Sequence, residues 1–244
     1  IYPFTNNSPR KFLSNKPNHT KVTLSDKEYL FWYDKDNAGG VVFVEFFDST
    51  ATPIGNATIN LTNSSSSNFI YLISSGPFNI ANMTFDSETD DTDVTHSAYY
   101  EVRIIDLAGY SLSDVRRYYI DHACNGYRLH FMNQYGMFDS VFLASDFKEN
   151  SGIKSTYFEK LKTSSAQSRS RVRMMSVEQK SYDAEITNIS DVQVAWLHEL
   201  LMSTSVFWEK AGVLVPVEID DSNNVLKQTA VKNELKISFS QSNR

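Results

Sequence analysis

What most limits the fold of this chain is a spacing. From Thr20 onward, short runs of apolar residues are cut by turn residues before any run is long enough to make a stable helix. "TKVTL" (20–24), "EYLFWY" (28–33), "VVFVEFF" (41–47), "NATINL" (56–61), "FIYLI" (69–73), "FNIANMTF" (78–85), "AYYEVRII" (98–105) and "VRRYYIDH" (115–122) follow one another. Between them stand "DKDNAGG", a Pro53/Gly55 turn, "SSGP", the acidic "DSETDDTD" and "DLAGYSLSD". A strand sends successive side chains to opposite faces, and aromatic and β-branched residues suit its pleat. At 98–105, Tyr99, Glu101, Arg103 and Ile105 then share one face, and Tyr100, Val102 and Ile104 the other. Roughly seven or eight such strands predict a β-sandwich over residues 20–122, immunoglobulin- or fibronectin-like in type. The paired cysteines of a true immunoglobulin domain are missing, because Cys124 stands alone.

Residues 1–19, rich in Pro, Asn and Ser and without periodicity, read as an extended arm or linker. Past "HACNG" the character changes, and residues 127–244 predict an α+β domain. It opens with the hairpin "YRLHFMNQYGMFDSVFLASD" (127–146), in which Asn133 and Gly136 supply turn chemistry and Leu129 and Phe131 pair back against Val141 and Leu143. His130 then faces the other side of the strand. A polar stretch leads to "RVRMMSVEQKSYDAEITNIS", read as one long or bent strand, or two. The one strong helix is "SDVQVAWLHELLMS". Ser190 is its N-cap and Gln193 completes a capping box, while Asp191 sits where the helix dipole favours negative charge. Val192, Trp196, Leu197, Leu200 and Leu201 form its apolar face, with Gln193, His198 and Glu199 off it. The sheet beneath comes from "VFW" (206–208), "VLVPVEID" (213–220), "NVLKQTAV" (224–231) and "ELKISFS" (234–240). Pro216 marks an edge or a bulge, since proline cannot donate to a ladder.

Composition narrows function by exclusion. A net charge of −6 argues against duplex nucleic-acid binding, which needs a basic face. No apolar run reaches membrane-span length, and no signal-peptide pattern opens the chain. The one basic cluster, Arg169, Arg171 and Arg173 in "RSRVR", shares a face on a strand and reads as a solvated or partner-facing patch. His19, His96, His122, His130 and His198 are scattered without metal-pair spacing, and no nucleophile elbow or phosphate loop is present. Hence no catalytic residue, cofactor or metal site is assigned, and the chain is not read as an enzyme. Calcium chemistry is open at Asp86, Glu88, Asp90, Asp91 and Asp93 and at Asp34 and Asp36, where a solvated loop needs the same residues. Trp32, Tyr33, Tyr71, Tyr99 and Tyr100 leave a sugar platform open in the same way.

Over about the last 120 residues the chain resembles a module of virion and tail-associated structural proteins of tailed phages that infect Bacteroidetes-type bacteria. The residues that carry the likeness are Leu129, Phe131, Asn133, Gly136, Phe138 and Asp139, then Trp196, Leu197, Leu200, Leu201 and Ser203, then Pro216 and Val217. Met137 stands where a second glycine is usual. The resemblance implies a structural role in a particle assembled in the bacterial cytoplasm, through ring-like contacts with itself and with other virion proteins, and no enzyme. Arg169, Arg171, Arg173, His198 and Pro216 are the interface residues expected on this reading. The alternative is a carbohydrate-binding or adhesin-like surface module that uses the sandwich loops.

Overall fold

The computed structural model describes residues 11–34, 39–61, 69–80, 84–85, 95–122, 127–143, 148–159, 171–210, 212–220, 225–228 and 233–242. The chain is mainly β, with large antiparallel sheets. β1 (Thr20–Val22), β3 (Gly40–Phe47), β4 (Pro53–Leu61), β6 (Thr84–Phe85), β7 (Tyr99–Ile105) and β8 (Arg116–Ile120) make a six-stranded sheet in the order β1-β8-β7-β3-β4-β6. Its pairs are antiparallel except β1 with β8. β2 (Tyr29–Asp34) and β5 (Phe69–Ser74) pair with each other as a separate two-stranded layer. Val42, Val44 and Phe46 of β3 and Tyr100, Val102 and Ile104 of β7 share one buried core with Leu30, Trp32 and Ile73 of that layer. The alternation seen in the sequence is therefore the alternation between core and exterior.

One run expected as a strand departs from this. Residues 78–85 split into a helical turn, α1 (Pro77–Ile80), and the short β6. Proline suits a first helical position. The backbone N–H groups of Asn79 and Ile80 both donate to the Gly76 carbonyl, which winds the segment up. Gly76 itself has no room for a side chain, because a Cβ there would collide with the backbone of Asp26, Lys27 and Glu28. Ser75 and Gly76 donate their N–H groups to the Glu28 carbonyl, so this tight approach fixes the backbone that carries Asp26 and Glu28.

The second half forms an eight-stranded sheet. β9 (Tyr127–Met132) and β10 (Phe138–Leu143) make the expected hairpin, followed by β11 (Lys148–Glu159), β12 (Arg171–Ile189), the helix α2 (Asp191–Met202), β13 (Val206–Lys210), β14 (Val213–Ile219), β15 (Val225–Gln228) and β16 (Asn233–Gln241). The order is β10-β9-β13-β14-β16-β12-β11, with β15 on β16. α2 buries Val194, Trp196, Leu197 and Leu200 against Leu129, Phe131, Val206, Leu235 and Ile237. Its capping box is present in both directions, with Gln193 N donating to Ser190 Oγ and Ser190 N donating to Gln193 Oε1.

Three local expectations shift. Val192 is 65% exposed, and Val194 takes its place in the core. At about 100° per residue the two lie ~200° apart, and the buried stripe through Leu197 and Leu200 selects the second. In the hairpin, Asn133 N donates to Met137 O and fixes the register, so Leu129 pairs with Val141, Leu143 with Tyr127, and Phe131 with Asp139. Residues 148–159, too polar to read as a strand, become one because β12 offers a partner for all twelve residues.

Candidate functional site: a locked junction and a projecting ribbon

The two halves of the chain meet where β2, in the two-stranded layer, lies against β10 of the eight-stranded sheet, and what joins them is charge. Glu28 and Asp26 project from the approach to β2, and Arg128 projects from β9 to pair with both carboxylates. Lys16 Nζ donates to Glu28 Oε2 at 2.7 Å, and the Arg128 guanidinium also donates to Ser140 Oγ at 3.0 Å. The Lys16, Glu28 and Arg128 side chains are almost completely buried. An isolated ion here would cost several kcal/mol, so each must be paired. Burial pushes the Glu28 carboxyl up, but Lys16 and then Arg128 outweigh it and hold the pKa at about 2. Arg128 is shared between Glu28 and Asp26, whereas the ion pair of Lys16 is with Glu28. Burial, aided by Arg128 and opposed by Glu28, lowers the Lys16 ammonium.

Residues 11–19 of the segment read as an arm run along this junction, and residues 1–10 lie outside the described residues. On the first side, Leu13 N donates to Phe31 O at 2.8 Å, Phe12 N donates to Asp114 Oδ1 at 3.0 Å, and Arg116 donates to the carbonyls of Ser14 and Lys16. On the second, Ser14 Oγ donates to Asp139 Oδ2 at 2.9 Å and Asn133 Nδ2 to Leu13 O at 3.0 Å. The Trp196 indole N–H reaches the same Asp139 oxygen at 2.9 Å. Burial raises the Asp139 pKa, against the pull of Lys16, Trp196 and Ser14. Asn133 Oδ1 also accepts the N–H groups of Tyr135 and Met137, and Gly136 takes φ +76°, where glycine is favoured. Asn133, Gly136, Asp139 and Trp196, four of the residues that carry the sequence resemblance, thus close one turn and clamp one strap. His130 is buried too, with Nε2 3.0 Å from Glu209 Oε2 and Tyr29 tilted over its ring. The "other face" of β9 is covered by the first sheet's unit rather than by water.

The opposite edge of the eight-stranded sheet is the reverse case. β12 pairs with β16 only from Ser181 onward. Beyond that point, among the described residues, Ser151–Glu159 and Arg171–Lys180 pair only with each other, forming a two-stranded ribbon about 30 Å long. Exposed on it are Ile153 (70%), Phe158 (52%), Met174 (69%) and Met175 (61%). Met174 is the extra residue of a bulge opposite Thr156 and Tyr157. Arg171 and Arg173 share the Tyr157 face, their guanidinium carbons 4.1 and 5.8 Å from the ring centroid. A lone two-stranded ribbon is marginal in water. This one is held at its root by Lys180–Glu149 and Asn150–Asp183 contacts, and farther out by Ser151 donating to Glu178.

The expected interface residues fall on three elements. Arg171 and Arg173 are on the ribbon, and Arg169 lies outside the described residues. His198 is exposed on α2. Pro216 is exposed on β14 opposite Phe207, at the point where β16 pairing stops; Ser242 N donates to its carbonyl. Of the residues weighed for calcium, Asp34 is buried and accepts the Gly39 N–H at 2.9 Å, while Asp36, Asp86, Glu88, Asp90, Asp91 and Asp93 lie outside the described residues. Of the aromatics weighed for sugar, Trp32 and Tyr100 are buried core, with Trp32 stacked on Tyr71. The junction was missed in the sequence. Its signal is Arg128, a single charge within "YRLHFM", and Glu28, the last of the charges Asp26-Lys27-Glu28 at the head of the apolar run "YLFWY".

No family model matches the chain, and no curated protein is similar to it. Among the described residues no helix is long and apolar enough to cross a membrane.

Proposed function

We propose that this chain is a structural component of a tailed-phage virion, of tail, baseplate or neck, that works through contacts with its own copies and with other particle proteins in a ring-like assembly. The observation that supports this reading is the ribbon. Nine or so residue pairs stand clear of the sheet with apolar side chains in water, which a single soluble domain has no reason to keep unless a partner covers them. The sequence likeness over residues 127–244 points the same way. On this reading the six-on-two layering of the first half is a reduced immunoglobulin- or fibronectin-like sandwich that serves as a bridge. The junction makes bridge and assembly domain one stiff body, so force or position set at the ribbon is carried to the sandwich. Arg171 and Arg173 then flank the contact, and His198 and Pro216 are exposed for others.

The test is sedimentation of the purified chain over about two orders of magnitude in concentration, with mass spectrometry of purified particles. Concentration-dependent association that disappears when residues 153–178 are replaced by Asn-Gly supports the reading. A chain that stays monomeric throughout and is absent from particles overturns it.

A further inference from the structure

Lys16, Glu28 and Asp139 serve the junction as polar partners, yet together they also hold the parts of a condensation reaction. Lys16 Nζ donates to Glu28 Oε2 at 2.7 Å and, at 3.3 Å, to Oγ of Ser140, the neighbour of Asp139. It lies 5.8 Å from the ring centroids of both Tyr118 and Trp196. The Trp196 indole N–H and the Ser14 hydroxyl each donate to Asp139 Oδ2 at 2.9 Å. Ser14 and Lys16 both turn into the junction, while Asn15 between them is exposed. The strap therefore delivers an amine and a hydrogen-bond donor together. Lys16, Glu28 and Asp139 are none of them more than 5% exposed. Their surroundings divide them. Glu28, though buried, is held at about 2 by Lys16 and Arg128, and so is a carboxylate. Burial pushes the Asp139 carboxyl up, towards the neutral acid, and the Lys16 ammonium down, towards the free amine. A free amine is a nucleophile, a carboxylate a base and a neutral acid an electrophile.

We propose that Lys16 and Asp139 condense to an amide, an isopeptide cross-link that the folded chain forms by itself with Glu28 as the base. Glu28 takes one proton from the Lys16 ammonium, and the freed Nζ adds to Asp139 Cγ. The negative charge that develops on Oδ2 is met by the Trp196 N–H and the Ser14 hydroxyl. Glu28 passes its proton to Oδ1, which leaves as water, and takes a second proton from the nitrogen. One N–C bond forms, one C–O bond breaks, and no oxidant or cofactor enters. Nζ rests on Glu28 in this structure, and its flexible stem must swing it to within about 3–3.5 Å of Cγ. Burial keeps out the water that would reverse the step. Glu28 then sheds its extra proton and stays paired with Arg128. Before the bond forms, charge alone holds the junction. Afterwards the strap is tied covalently to β10, whether or not copies of the chain associate.

The test is the intact mass of the purified full chain, followed by peptide mapping. The expected mass falls short of the sequence by one water, and a digest yields a branched peptide that joins the strap to the stretch carrying Asp139. Lys16→Arg and Asp139→Ala restore the full mass. Glu28→Gln keeps both reacting groups and slows the bond at least tenfold, as does Trp196→Phe, which removes an Oδ2 donor. Circular dichroism establishes that each variant is folded before its mass is read, and the native chain decides the matter without them. A native chain of full sequence mass overturns the proposal. So does a water loss that maps within one linear peptide, because that is closure of an aspartyl side chain on its own backbone. A folded Glu28→Gln chain that condenses as fast as the native one overturns the assigned base.

Discussion

Arg128 and Arg171 sit on strands of one sheet and do opposite things. Arg128 is buried at the junction edge between Glu28 and Asp26. Arg171, at the far edge, lies exposed over Tyr157 on a ribbon whose two strands, among the described residues, pair only with each other. The first arginine is locked by partners brought from a hundred residues away; the second lies over Tyr157 of the facing strand. Charge is thus used in two ways: at one edge to specify how two β units sit together, at the other to keep an uncovered strand pair soluble and out of promiscuous pairing.

The sharpest way to break that contrast is Glu28→Gln. It leaves Lys16 and Arg128 buried with one carboxylate fewer. Loss of one partner from a buried ion cluster costs about 3–5 kcal/mol, and chemical denaturation should show it as a lower midpoint and a split transition, with the two sheets unfolding separately. A single transition within about 0.5 kcal/mol of the native chain would mean that the apolar cores alone dock the units.

Acid tests the same lock reversibly. Folding lowers the Glu28 pKa from 4.5 to about 2. The unfolded chain therefore binds the proton first, and the stability contributed above pH 4.5 is lost as the pH falls towards 2. At 1.36 kcal/mol per unit this is about 3 kcal/mol. Asp139 works the other way. Burial raises its pKa, so its stabilising effect is present in its protonated form and softens the fall. Denaturant midpoints measured between pH 6 and 2 should drop through that window in the native chain and stay flatter in Glu28→Gln.

The contrast also explains what the sequence showed and what it hid. Strands such as "ELKISFS" were legible because a one-sided sheet imposes alternation, and Leu235, Ile237 and Phe239 are buried as their spacing demands. The capping box fixed the start of α2, but nothing local chose between Val192 and Val194, because the stripe is set by the sheet beneath. β11 was illegible because its strand character comes from β12 rather than from its own polar residues. The junction was illegible for a related reason. Strand "YRLHFM" is covered on both faces, so Arg128 and His130, which alternate as solvent-facing residues should, are buried instead. Periodicity reports which residues share a face, and it is silent on what lies over that face.

The smallest expected effect is therefore the most telling about the ribbon. Ile153→Ser and Met175→Ser remove side chains that are 70% and 61% exposed. Surface substitutions of this kind shift stability by less than about 0.5 kcal/mol, so the melting temperature of the isolated chain should not move. On the assembly reading proposed above, association should weaken, because these side chains would be apolar area that a neighbour covers. Stability and assembly would then separate at this edge. At the junction they do not: loosening the Glu28 lock changes how sandwich and ribbon are held relative to each other, and so degrades any ring that depends on both. Should Ile153→Ser instead destabilise the monomer by 2 kcal/mol or more, the side chain would be packed within its own chain, and the ribbon would belong to the fold rather than to the contact between copies.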